Sequence, residues 1–115
     1  MNKLFYVGIV LISATSSCTY ESVEPVKVEV KDTIISYSKT IVPLLTTQCN
    51  GTGCHESGSQ DGDFTIYDGL KEKADDKSLY KRVVALKDMP KGGFTLTDQE
   101  RSYFAAWINQ GSQNN

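Results

Sequence analysis

The chain has three cysteines, one histidine and two methionines, few enough for each to be weighed individually. Two of the cysteines and the histidine lie together in Cys49-Asn50-Gly51-Thr52-Gly53-Cys54-His55. Three chemistries use these residue types at this spacing. A Cys49–Cys54 disulfide would close a glycine-containing loop and leave His55 as an ordinary surface residue. A structural zinc wants four protein ligands, so it would need a carboxylate or a second chain beside these three. Thiols can also add across the two vinyl groups of a haem, and the imidazole that follows the second cysteine is then delivered to the iron. This last use employs all three side chains.

In covalent haem attachment two residues commonly separate the cysteines, whereas four separate Cys49 from Cys54. The extra residues must loop outward, and Gly51 and Gly53 supply the backbone freedom. A second candidate for the iron is Met89, in the turn-rich run Leu86-Lys87-Asp88-Met89-Pro90-Lys91-Gly92-Gly93. A thioether is a suitable axial ligand that raises the reduction potential relative to a second imidazole, and with one histidine the chain has no second imidazole to offer. A lone methionine is more often a filler of core gaps. One set among a proline and two glycines is poorly placed for that.

Helices on either side must position these groups. Ile41, Leu44 and Leu45 follow helical spacing after Ser38 or Thr40 as N-cap, with Pro43 in the first turn, and this helix leads straight into Cys49. At the far end Thr97-Asp98-Gln99-Glu100 is a capping box. It opens a helix over 98–110, about 20 Å long, with Tyr103, Phe104, Trp107 and Ile108 on its apolar face and Gly111 closing it. Such a stripe is ordinarily plain core; a haem at the centre would make it core and cofactor wall at once. Ser78–Ala85 reads as a short helix with Leu79 and Val83 inward. Phe64, Ile66 and Leu70 are candidates for pocket lining, though each taken singly reads as ordinary core.

At 115 residues, 39% of them apolar and 23% charged, there is room for one small domain. Twelve basic against fourteen acidic side chains give a formal charge of −2, without the basic footprint of a nucleic-acid binder. Met1-Asn2-Lys3, the apolar run Leu4–Ile12 and the small residues Ser13–Ser17 before Cys18 have the order of a secretory signal. The run falls short of the roughly 20 apolar residues that span a bilayer. Leu11 to Cys18 resembles a bacterial lipoprotein signal, with Thr15 where a leucine is usual, which implies removal of residues 1–17 and lipid attachment at Cys18. The chain is then an extracytoplasmic protein anchored to a membrane, and Met89 is its one remaining methionine. Residues 18–33 form a tether, in which Val26, Val28 and Val30 alternate with charged residues as an extended spacer or a short edge strand. The domain occupies 34–115.

Residues 34–113 resemble the small monohaem c-type cytochrome domains of bacterial extracytoplasmic lipoproteins, similar to the planctomycete-type cytochrome c group. The resemblance rests on Ser38-Lys-x-Ile-x-Pro-Leu-Leu45, on Cys49, Cys54 and His55, on Met89-Pro90, and on Leu96-Thr97-Asp98 through Trp107-Ile108-Asn109-Gln110-Gly111. It implies an all-α, cytochrome c-like fold with the first and last helices crossing beside one haem c. In it Cys49 and Cys54 hold the haem, His55 is the proximal ligand and Met89 the distal one. The implied function is electron transfer to a redox partner protein rather than enzymatic turnover. Two other readings stay open: an enzyme or gas sensor with an open iron, such as a peroxidase, and a haem-free surface lipoprotein, stapled by a disulfide, that binds a protein or glycan. Between Lys71 and Lys91 seven basic residues face four acidic ones. This is a solvated face or a rim that steers an acidic partner.

Overall fold

The computed structural model describes residues 33–115. The signal-like segment, Cys18 and the alternating valines lie outside the described residues. Every regular element among the described residues is helical, so the fold is all-α. A wide, π-type turn at Tyr37–Ile41 runs directly into an α-helix at Val42–Gln48, and the two together are α1. Helix α2 spans Tyr67–Asp75, α3 is a second π-type stretch at Tyr80–Ala85, and α4 spans Asp98–Asn109.

Helix α1 opens ahead of both expected caps. Ser36, in extended conformation, takes the N-cap place of Ser38 or Thr40, its hydroxyl accepting from the Lys39 amide at 3.2 Å. Pro43 does fall in the first turn of the α-helical part. The wide turn just before it lies where the proline ring would otherwise press on the Lys39 carbonyl, four residues back. The free amides of the opening turn find acceptors at the far end of the chain. Tyr37 N–H donates to Asn115 Oδ1 at 2.7 Å, and Ser38 N–H to the Asn115 carbonyl at 2.9 Å.

Helix α4 follows its sequence closely. Both halves of the capping box form between Thr97 and Glu100. At the other end Gly111, at φ +92°, turns the chain so that its N–H reaches the Ile108 carbonyl and Ser112 N–H reaches that of Trp107. α4 packs against α1 and α3. Ile41, Leu45, Leu70, Phe104 and Trp107 are fully buried between the helices. Burying an aliphatic or phenylalanine side chain in this way contributes on the order of 1.5–3 kcal/mol. Tyr37 stacks on Trp107 at 5.7 Å and meets Tyr67 edge-on at 5.2 Å. The polar ends of two of these rings are satisfied by the tail: Trp107 Nε1 donates to the Gln113 carbonyl at 2.9 Å and the Tyr67 hydroxyl to that of Ser112 at 2.7 Å.

Candidate functional site

Helix α1 delivers Cys49, whose N–H still bonds the Leu45 carbonyl at 2.9 Å. The loop then doubles back, with Cys54 N–H on the Gly51 carbonyl at 2.9 Å and His55 N–H on that of Cys49 at 3.2 Å. Of the two glycines expected to free this loop, Gly53 has the left-handed backbone, φ +78°. Gly51 does not; it lies under the Phe94 ring, where an added Cβ would meet it at 3.6 Å, an ordinary contact. The conformational demand therefore falls on Gly53 alone.

His55 is held from two sides. Its Nδ1 lies 3.1 Å from the Gly62 carbonyl. A carbonyl oxygen can only accept, so Nδ1 carries a proton; in the neutral ring the lone pair is then on Nε2, the tautomer a metal-binding imidazole needs. The ring stacks on Phe64 with centroids 3.9 Å apart and planes 8° apart. Phe64 N–H in turn donates to the His55 carbonyl at 3.0 Å, and Asn50 Nδ2 to that of Phe64 at 3.3 Å. Beneath this support, Asp63 accepts from the Gly58 and Thr65 amides and from the Thr65 hydroxyl. These bonds, the hydroxyl's first, hold its carboxyl below the usual range. Gly69 of α2 passes directly under Asp63; an added Cβ would lie 1.9 Å from the Asp63 carbonyl oxygen.

The Met89 loop leaves α3 and is tied back to it. The Arg82 carbonyl accepts from the Asp88 amide at 3.1 Å and the Met89 amide at 3.3 Å. Arg82 Nε pairs with Asp88 Oδ1 at 3.1 Å. Arg101 of α4, 8% exposed, sends one nitrogen, Nη1, to the Val83 carbonyl at 2.6 Å and the Met89 carbonyl at 2.9 Å. Sequence reasoning missed Arg101. Its signal was available: it stands three residues before Phe104, a charged residue on the inward stripe of α4.

Cys49, Cys54, His55 and Met89 all line one cleft of about 700 Å³, a volume within the range of roughly 300–1,000 Å³ usual for small-molecule and cofactor sites. Phe64, Leu79, Val83 and Phe104 supply apolar wall, and Lys73, Arg82 and Lys91 bring positive charge to the lining. Leu79 and Val83 point inward as their spacing requires. Other expectations need correction. Ile66 is exposed, neither core nor cleft wall; Leu70 is core, as its reading taken singly had it; Phe64 alone of the three lines the cleft. The aromatic stripe of α4 divides: Phe104 faces the cleft, while Trp107 packs into the tyrosine cluster.

Both cysteines are free thiols. Cys49 is buried, and loss of solvent, aided by the nearby Cys54, pushes its thiol up to about 11. Among the described residues no three His, Cys, Asp or Glu side chains gather to hold a metal ion. Cys49, Cys54 and His55 line one cleft with Phe64, Leu79, Val83 and Phe104, and thiols, an imidazole and apolar wall together fit a large flat cofactor. Comparison with family models, curated proteins and solved structures finds no match to this chain.

Proposed function

We propose that this is an extracytoplasmic electron carrier with one covalently attached haem c, held by Cys49 and Cys54 and ligated by His55 and Met89. The observation that supports it most is the meeting of four scarce side chains in one cleft, with the Nε2 lone pair of His55 left available by the Gly62 carbonyl. When bound, the haem supplies reversible one-electron chemistry between ferrous and ferric iron. The protein's part is to grip, orient and shield. Each thiol would add across one vinyl group, its sulfur bonding one carbon and its hydrogen passing to the other, so that nothing would be released. Phe64 keeps the imidazole plane fixed through the redox cycle, and Leu79, Val83 and Phe104 exclude water from the cleft. The lipoprotein-like segment and Cys18 extend the proposal to a membrane-anchored carrier that meets a redox partner protein.

Maturation of the full chain in a host with haem-attachment factors tests the reading. The expected product carries one haem that survives acid-acetone extraction, and ferric protein showing the weak far-red absorption of methionine ligation. Recovery of unmodified chain with a Cys49–Cys54 disulfide would point instead to the haem-free lipoprotein. Ready carbon monoxide binding without the far-red band would favour an open iron.

A further inference from the structure

We propose that Arg101 is the positioning residue for Met89, fixing the loop that carries the sulfur to the cleft; the inference rests on Met89 being an iron ligand. Two hydrogen bonds leave the same guanidinium nitrogen, one to Val83 at the end of α3 and one to Met89 itself. Nη1 has two protons, so both are used and the two carbonyls are clamped to one point. The other ties on this loop are weaker. The Met89 amide bond is long at 3.3 Å, and the Arg82–Asp88 pair joins two half-exposed side chains and holds Asp88, not Met89.

A nearly buried guanidinium is costly to keep unless its donors are satisfied. Asp98, one turn earlier on α4, is an acidic group that feels its charge. That carboxyl is exposed and already paired with Lys87 at 2.7 Å, which depresses it more than Arg101 does. The interactions that repay burial of Arg101 are therefore the two carbonyls, one of them Met89's own. A charge-assisted bond of this kind is about twice as strong as a neutral one. The clamp refers Met89 to α4, a helix held at both ends by its capping box and its glycine turn.

The test compares Arg101→Met and Arg101→Lys with wild type, all as full-length haem-loaded protein. Readouts are the far-red band, the affinity of ferric protein for imidazole, and amide hydrogen exchange at Asp88 and Met89. Arg101→Met should keep its covalent haem, lose most of the band, bind imidazole about tenfold more tightly or better, the scale of one lost charged hydrogen bond, and exchange faster at both amides. Arg101→Lys should recover part of each change. In a Met89→Ala background, Arg101→Met should leave imidazole affinity unchanged; a further tenfold gain there would mean Arg101 acts on the fold at large and would overturn the proposal. So would a wild-type band with Arg101→Met indistinguishable from it. If wild type itself lacks the band, the ligand assignment of Met89 fails, and unchanged exchange at Met89 in the variant would separately sink the clamp. Should Arg101→Met not fold, Arg101→Lys alone decides, by whether the band and the exchange rates move together.

Discussion

Cys49 illustrates how much one side chain inherits from its surroundings. Its thiol is buried and protonated up to about pH 11, whereas in the unfolded chain it ionises near the ordinary value of about 8.5. Between those limits the unfolded chain releases a proton that the folded chain retains. Stability of haem-free protein is therefore full below about pH 8.5, falls through the window up to about 11 by on the order of 3 kcal/mol, and then levels. Urea titrations of wild type and Cys49→Ala across pH 8 to 11 check this, since tyrosines and lysines contribute to both and the difference isolates the thiol. Iodoacetamide at pH 8 should label the half-buried Cys54 well before Cys49. At the same scale, Met89→Ala should abolish the far-red band, lower the potential and open the iron to small ligands, as read by absorption and redox titration. The four scarce side chains were legible from residue type alone. The groups that orient them were not: Gly62 and Met89 act through backbone carbonyls, which every residue possesses and no sequence distinguishes.

Helix α2 contains no predicted ligand, yet it positions one. Gly69 lets Asp63 rest on the helix, Asp63 organises the turn that presents the Gly62 carbonyl, and that carbonyl holds His55. Gly69→Ala should force backbone apart, costing about 1–3 kcal/mol or more. It should also loosen His55, so that ferrous protein becomes partly high-spin; thermal melts and the ferrous spectrum report the two effects. Thr97→Ala, by contrast, should cost about 1 kcal/mol through the lost cap of α4 and leave the spectrum unchanged. The contrast between α4 and α1 shows what local pattern can specify. α4 carries its start, stripe and stop within its own sequence, so it was read correctly from 98 onward. α1 is begun by Ser36 and completed by Asn115, and no window around Ser38 includes the second of these. The π-type form of α3 likewise left no periodic mark distinguishable from an ordinary short helix.

Across the whole molecule, charge is more balanced than its sequence order suggests. Of the basic residues between Lys71 and Lys91, Lys71 pairs with Asp75, Lys73 with Glu72, Arg82 with Asp88 and Lys87 with Asp98. Steering of an acidic partner would fall chiefly to Lys77, Lys81 and Lys91, of which Lys91 lines the cleft. Lys91→Glu should slow association with such a partner far more than Lys39→Glu on α1, and the difference should fade as salt shortens the Debye length from about 30 Å at 0.01 M to about 10 Å at 0.1 M. Stopped-flow transfer rates at two ionic strengths measure it; equal effects from the two variants would mark the lysines as a solvating face. The bonds from Asn115 to Tyr37 and Ser38 carry a consequence in time rather than space. A chain made from its N-terminus exposes the Cys49–His55 loop before α4 and the tail exist to close the domain, and contacts spanning this much sequence form late. The interval when both thiols stand open to attachment narrows as α4 docks and Phe104 closes the cleft that Cys49 and Cys54 line. Chains halted before Asp98 should be alkylated at Cys49 and Cys54 at equal rates, and chains that include α4 and the tail should show Cys49 protected.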